Sequence, residues 1–372
     1  MGKQTEFLYL SEEDMIKAGV LDYARCIDVE EEIFKLLSVG DYVMGGDNHN
    51  SHGIMMKFPA EETFPGMPVD APDRRFMAMP AYVGGRFHVA GQKWYGSNII
   101  NPSRGLPRSI LMVMLNDVDT CEPLALMSAN LISSVRTGCV PGVGVRYLAK
   151  KDAKVCAAIG AGPIGKACFE AIRLEAKALE ELVVYDLFKE KAEAFANEMT
   201  EKYGIRARAA DTMEEAVRAG DIVSVAASSL KPISLEGDWL KPGSLLIFSG
   251  RGQVDEKYFT TSKVVWDNVK MHEAYFAEHL ALPENERFIN GIAVQIYRFM
   301  YEKKIPPIEE AIGLGDIIRG EKPGRASDDE RICFIAGGMP IWDVGWGYDL
   351  YMHAKEMGLG QTLKLWDSPY LA

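Results

Sequence analysis

The feature that most constrains this chain is a glycine-spaced turn, Gly160-Ala161-Gly162-Pro163-Ile164-Gly165, set between an apolar run and a helix-forming run. Val155 to Ile159 reads as a buried strand, and the residues after Gly165 read as a helix. A second apolar strand, Leu182 to Tyr185, ends at Asp186, 21 residues beyond Gly165. Each part has a physical task in a strand–turn–helix that seats a dinucleotide. Gly160 permits the sharp turn out of the strand, Gly162 lacks the Cβ that would hold a pyrophosphate off the backbone, and Gly165 lets helix and strand pack closely. Pro163 suits the first helical turn, where its missing N–H has no helical partner. With Ile164 it opens a helix whose free N–H groups and partial positive charge face the phosphates. The Asp186 carboxylate can accept from the adenosine ribose hydroxyls and would repel a 2′-phosphate, which favours NAD(H) over NADP(H).

The surrounding residues repeat the same rhythm. From 153 onward, strand-like and helix-like runs alternate: AKVCAAIG, PIGKACFEAIRLEA, LEELVVYD, KEKAEAFANEMTEKYG, IRARAA, TMEEAVRAG and DIVSVAAS, with further strands in LKPGSLLIFSG and KVVWDN. That alternation predicts a parallel sheet covered on both faces, a Rossmann dinucleotide-binding domain over 138–336. Strand ends line the cofactor crevice of such a domain. Ser228 and Ser229 after the fourth strand and Gly250 after the fifth are therefore further candidate cofactor contacts. The rest reads differently. Residues 11–19 and 22–39 read as helices, 40–75 as an irregular Gly/Asn/His/Pro-rich stretch, and 76–127 as β structure. Residues 128–150 read as a helix broken at Pro141 and resumed. After about 330, DERICFIAG and VGWGYDLYMHAKEMG read as helices folding back onto the N-terminal part. The predicted fold class is α/β: the Rossmann NAD-binding domain plus a discontinuous α+β substrate/dimerisation domain formed by 1–137 and 337–372.

Bulk properties narrow the partners. A length of 372 residues suits two domains, and 48% hydrophobic with 25% charged residues is ordinary for a soluble protein. The net charge of −12 argues against nucleic acid and anionic membranes. No run is long and apolar enough to span a bilayer, and the first ten residues lack the apolar core of a secretion signal. Six cysteines with no C-x-x-C pair read as reduced, mostly buried thiols of a cytoplasmic protein. His49 and His52 form an H-x-x-H without a third ligand at a recognisable spacing, so no metal is expected there.

Three cations suggest an anionic substrate: Lys93 in GQKWYG, Arg108 in GLPRSI and Arg136 in SSVRTG. Taken singly, each reads as a surface charge. Their arrangement is more specific. MPAY (79–82), GQK (91–93), GLPRS (105–109), Leu115-Asn116-Asp117, RTG (136–138) and GAGPIG in that order resemble the ornithine cyclodeaminase/μ-crystallin family, as does the tail from DDERICFIAGGMP onward. The resemblance implies that Lys93 and Arg136 hold a substrate carboxylate beside a nicotinamide, that Thr137 contacts the cofactor, and that Arg108 takes a substrate-side position. Chemically this is apt. An Arg grips a carboxylate at two points, a Lys adds a charge that can also move a proton, and fixing the carboxylate fixes Cα for hydride exchange. The resemblance also implies a homodimer.

Two departures bear on the reaction. Where ornithine cyclodeaminases carry Gly-Gly-Asp after the strand matching Leu245 to Phe248, this chain reads Gly250-Arg251-Gly252, with Asp255 three residues late. The upstream substrate arginine is also missing, and that stretch offers His52 and Lys57; His52 is a candidate general acid/base. The leading expectation is an NAD-dependent oxidoreductase acting on the Cα–N bond of a small amino acid or imine, with Lys93 or His52 handling protons. The alternatives are a cyclodeaminase, an ammonia lyase that uses NAD without net turnover, and a non-catalytic NAD-binding accessory subunit.

Overall fold

The computed structural model describes residues 3–227, 231–289, 291 and 293–371. The chain divides into two compact units, one of 1–22, 39–136 and 339–372, the other of 23–38 and 137–338.

The first unit is built on a mixed sheet. Its strand order is Gln361–Trp366, Thr5–Leu10, Pro123–Ser128, Ser109–Asp117, Val89–Ser97, Arg75–Val83 and Tyr42–Met44, with Ile54–Met56 also pairing with Arg75–Val83. Neighbours are antiparallel except Thr5–Leu10 and Pro123–Ser128, which run parallel. Period-two alternation decides what each strand buries. In Val89–Ser97, Val89, Lys93 and Ser97 are buried and Trp94 is exposed. The inner face lies under the Pro340–Glu356 helix: Val344 packs over Gly91, and Met127 and Val113 pack at Gly347. Every residue from Pro340 to Gly347 is buried, including Trp342 and Trp346. The terminal strands Thr5–Leu10 and Gln361–Trp366, absent from the sequence reading, pair with each other at the sheet edge.

The second unit carries a parallel sheet. Its order is Arg206–Ala209, Glu181–Tyr185, Val155–Ile159, Ile222–Val225, Leu245–Phe248, Ile332–Ile335, Lys263–Trp266 and Ile312–Gly313. From Val155–Ile159 the chain builds outward through Glu181–Tyr185 and Arg206–Ala209, then returns to the other side at Ile222–Val225. That reversal creates the crevice where such sheets bind ligands.

Three expectations are corrected. DERICFIAG holds a strand rather than a helix. Ile332–Ile335 is buried between Leu245–Phe248 and Lys263–Trp266, and a short apolar run carries no period that separates the two states. The helix at Asn130–Leu148 runs unbroken through Pro141: the proline forfeits one ladder bond, but burial at Val135, Cys139, Val140, Val143 and Leu148 outweighs it. The Tyr23–Val39 helix, placed by sequence with the substrate domain, belongs to the second unit up to residue 38. There Ile27 packs at Gly142, and Arg146 pairs with Glu31 at 2.6 Å and Asp28 at 2.9 Å.

Candidate functional site

The glycine turn in the second unit has the geometry its residues imply. Gly160 leaves the Val155–Ile159 strand with φ of +109°, and a Cβ there would sit 2.9 Å from the Ala227 backbone. Gly165 lies so close to the strand end that a Cβ would fall 2.0 Å from the Gly160 carbonyl oxygen. Gly162 differs: it caps the Pro163–Glu175 helix, and a Cβ on it would point into open space. That opening beside free helix N–H groups is the cradle a pyrophosphate requires, so the turn fits a dinucleotide. Pro163 occupies the first turn, with Ile164 following. Asp186 braces the loop: one carboxylate oxygen accepts from Ala161 N at 2.8 Å and the other from Phe188 N at 3.0 Å. A carboxylate has about four lone-pair positions, which leaves acceptor capacity for ribose hydroxyls. Gly250 sits past the Leu245–Phe248 strand, close to the Ala227 carbonyl. Ser228 and Ser229 lie outside the described residues.

The first unit holds a cluster that charge alone would place on a surface. Lys93 is 3% exposed, Arg136 4% and Asp343 0%. Asp343 Oδ2 accepts from Lys93 Nζ at 2.7 Å and pairs with Arg136 Nη2 at 3.0 Å. Lys93 arrives on the inner face of its strand, Arg136 on the Asn130–Leu148 helix, and Asp343 in the first turn of Pro340–Glu356, where the helix dipole favours an anion. Burial, with Arg136 beside it, pushes the Lys93 ammonium down to about 8, against the opposing pull of Asp343. Burial would raise the Asp343 carboxyl, but the charges of Arg136 and Lys93 overcome it and hold the group below its usual range. Within this cluster three buried polar atoms have no hydrogen-bond partner among the described residues: Arg136 Nε, Arg136 Nη1 and Asp343 Oδ1. Such atoms cost about 1–3 kcal/mol each when shielded from water.

Asp343 escaped the sequence reading, which began the last helix at Val344. The start signal was available: Pro340 follows Gly337-Gly338-Met339 and takes the first helical position, which puts Asp343 in the opening turn.

The other candidates lie elsewhere. Arg108 is half-exposed, and its Nε donates to Asp73 Oδ2 at 2.5 Å; Arg75 pairs with the same carboxylate, and Ser97 Oγ donates to it at 2.6 Å. Ser97 pairs with Ser109 four residues along from the Lys93–Val113 pair, and Arg108 is one residue further, so its backbone lies roughly 17 Å along the sheet from that pair. The structure therefore does not bring Arg108 to Lys93 and Arg136. His52 is half-buried, just before Gly53, which packs on Met79; Met79 is the cross-strand partner of Lys93. Thr137 is half-buried in the helix that carries Arg136. Asp255 is committed to structure: it caps the Glu256–Thr261 helix through Tyr258 N at 3.0 Å and accepts from Gly237 N.

A doubly covered parallel sheet with this glycine turn defines a dinucleotide-dependent enzyme. The sequence profile of the ornithine cyclodeaminase/mu-crystallin family matches residues 20–358. An N-((2S)-2-amino-2-carboxyethyl)-L-glutamate dehydrogenase from Staphylococcus aureus is 29% identical over 364 residues, 97% of this chain and 99% of its own. The structure of Thermococcus litoralis Delta(1)-pyrroline-2-carboxylate reductase in complex with NADH and L-proline matches with a TM-score of 0.77 at 25% identity, covering 95% of this chain and 99% of that one. An archaeal alanine dehydrogenase dimer with bound NAD matches with a TM-score of 0.78 at 26% identity, covering 97% and 100%. This chain belongs to the ornithine cyclodeaminase/mu-crystallin family. It is an NAD(H)-using oxidoreductase that acts at the Cα–N bond of an amino acid or its imine.

Proposed function

We propose that the protein interconverts a small α-amino acid and its imine, with the substrate carboxylate held by Lys93 and Arg136. The observation that carries this reading is a charge count. Two cations and one carboxylate leave the buried cluster with one net positive charge, and Arg136 has two donors, Nε and Nη1, without acceptors. One carboxylate supplies the missing charge and an acceptor for an unpaired Arg136 donor.

Gly160, Gly162, Pro163, Ile164, Gly165 and Asp186, with Thr137 and Gly250 as further candidate contacts, would hold the dinucleotide, which would supply or accept a hydride. The protein's own part is the carboxylate grip and the proton. Reduction of an imine adds a hydride at Cα and a proton at nitrogen. Lys93 Nζ gives that proton to the imine nitrogen, and hydride addition at Cα then turns the C=N bond into C–N; in the oxidative direction neutral Lys93 takes the proton back. A neutral imine carboxylate bound to protonated Lys93, Arg136 and ionised Asp343 sums to zero charge, so the reactive complex carries no uncompensated buried charge. His52 is the candidate for relaying the proton to solvent. Committing Asp255 to a helix cap, with Gly250-Arg251-Gly252 preceding it, speaks against a cyclodeaminase cycle.

The test is a screen of NADH absorbance with 2-oxo acids and amines, and of NAD reduction with amino acids. Stoichiometric NADH change with turnover is expected; ammonia release without net change would replace this reading with the lyase one.

A homodimer is part of the proposal. Ile54, Met56, Trp94, Ile110 and Met112 are exposed on the outer face of the first unit's sheet, with Trp94 opposite Met112 in register and stacked on Phe76 at 5.9 Å. A contiguous apolar face of this kind fits a second copy. Trp94→Glu is expected to shift the species seen by analytical ultracentrifugation to monomer; an unchanged dimer would place the interface elsewhere. No described helix is long and apolar enough to cross a membrane. Six thiols, five of them buried and none in a disulfide, suit a cytoplasmic setting.

A further inference from the structure

We propose that Asp343 is the group that binds the substrate's nitrogen, and so makes the site select C–N over C–O substrates. This rests on the reading that Lys93 and Arg136 hold the carboxylate.

The two oxygens of Asp343 are used unequally. Oδ2 receives both cations, Lys93 Nζ and Arg136 Nη2. Oδ1 is shielded from water and receives no donor among the described residues. In sequence Asp343 stands between the fully buried Trp342 and Val344, Lys93 is flanked in register by Met79 and Val113, and the Tyr95 ring lies 5.8 Å from Lys93 Nζ. An ionised oxygen left this way is costly unless a ligand fills it.

The orphan atoms form a matched set: two donors on Arg136 and one acceptor on Asp343, joined through Asp343 Oδ2. An α-amino acid or a protonated α-imine carries the complement, carboxylate oxygen for the Arg136 donors and an N–H on the atom attached to Cα. A 2-oxo acid presents a lone pair where that N–H would be, directly against a carboxylate oxygen. A site built to receive an N–H rejects the analogue lacking it, because its own acceptor is then left buried and unpaired. The negative charge also favours the iminium that forms when Lys93 gives up its proton.

The experiment uses two planar probes of nearly equal shape, pyrrole-2-carboxylate, which has a ring N–H, and furan-2-carboxylate, which has a ring oxygen. Each is titrated calorimetrically into protein saturated with NAD+. The wild type is expected to bind the pyrrole at least about tenfold more tightly. Asp343→Asn should shrink that preference to within about threefold without weakening the furan. Arg136→Lys should weaken both probes alike. If Asp343→Asn does not fold, with two cations left buried, the double variant Lys93→Met/Asp343→Leu retains Arg136 and should bind both probes equally. A wild type without preference, or a preference that survives loss of Asp343, overturns the assignment while leaving the carboxylate grip standing. Furan binding that Arg136→Lys and Lys93→Met both leave unchanged, or a wild type that binds neither probe, overturns the grip itself.

Discussion

The two binding regions are built on opposite plans. The nucleotide turn is local: Gly160 to Asp186 form one strand–turn–helix–strand, and each residue's task follows from its neighbours in sequence. The cation–carboxylate cluster is non-local, joining Lys93 and Asp343 across 250 residues, with Arg136 from a third element. The turn recognises something every enzyme of its kind shares and depends on backbone shape. The cluster, proposed above to grip the substrate's carboxylate, depends on buried charge. A chain divided this way can change substrate without disturbing its cofactor.

The largest expected effect tests that division directly. Lys93→Met should lower kcat by about 10²- to 10⁴-fold, the range for losing a general acid, while NADH affinity measured by fluorescence titration stays within about twofold. Equal losses of turnover and cofactor binding would mean that the two regions are not separable. The reverse substitution comes next. Gly165→Ala places a Cβ 2.0 Å from the Gly160 carbonyl, so the turn must shift at a cost of about 1–3 kcal/mol, and NADH binding should weaken about 5- to 150-fold. Binding of a carboxylate probe to the first unit should be unaffected.

Titration sharpens the contrast further. Lys93 lies near 8, and reduction requires its charged form. Reductive kcat/KM should therefore be level below about pH 8 and fall about tenfold per unit above it, whereas oxidative kcat/KM should rise through the same pH. NADH affinity, resting on backbone groups, should show no inflection there. A flat reductive profile from pH 7 to 10 would remove Lys93 as the proton donor. The smallest effect belongs to Arg108. Half-exposed and paired with Asp73, it should change stability by no more than about 1 kcal/mol on Arg108→Ala, with KM within about twofold in steady-state assays. A tenfold rise in KM would return Arg108 to the substrate site.

Much of this was legible before any coordinates. The spacing of Gly160, Gly162, Gly165 and Asp186 announced the dinucleotide turn because glycine tolerances are local backbone requirements. The strand–helix alternation announced the parallel sheet because both periods are read within a few residues. Where the reading failed, non-local packing had decided the matter. Ile332–Ile335 is a strand because two other strands lie beside it. Arg108 carries its substrate-side expectation from its motif alone, and the pairing of Ser97 with Ser109 sets it just beyond the end of its strand, against Asp73.

The amino-acid order by itself determined the cofactor class and the parallel sheet, since each follows from short-range pattern, whereas Lys93 and Arg136 were singled out for the substrate through the family resemblance. Only the tertiary structure decided that Lys93 and Arg136 are buried, and that Asp343 is their counter-charge with one oxygen unclaimed. A charge in a sequence has no dielectric. Folding supplies it by bringing three distant elements together and excluding water, and that exclusion is what turns three common side chains into a site.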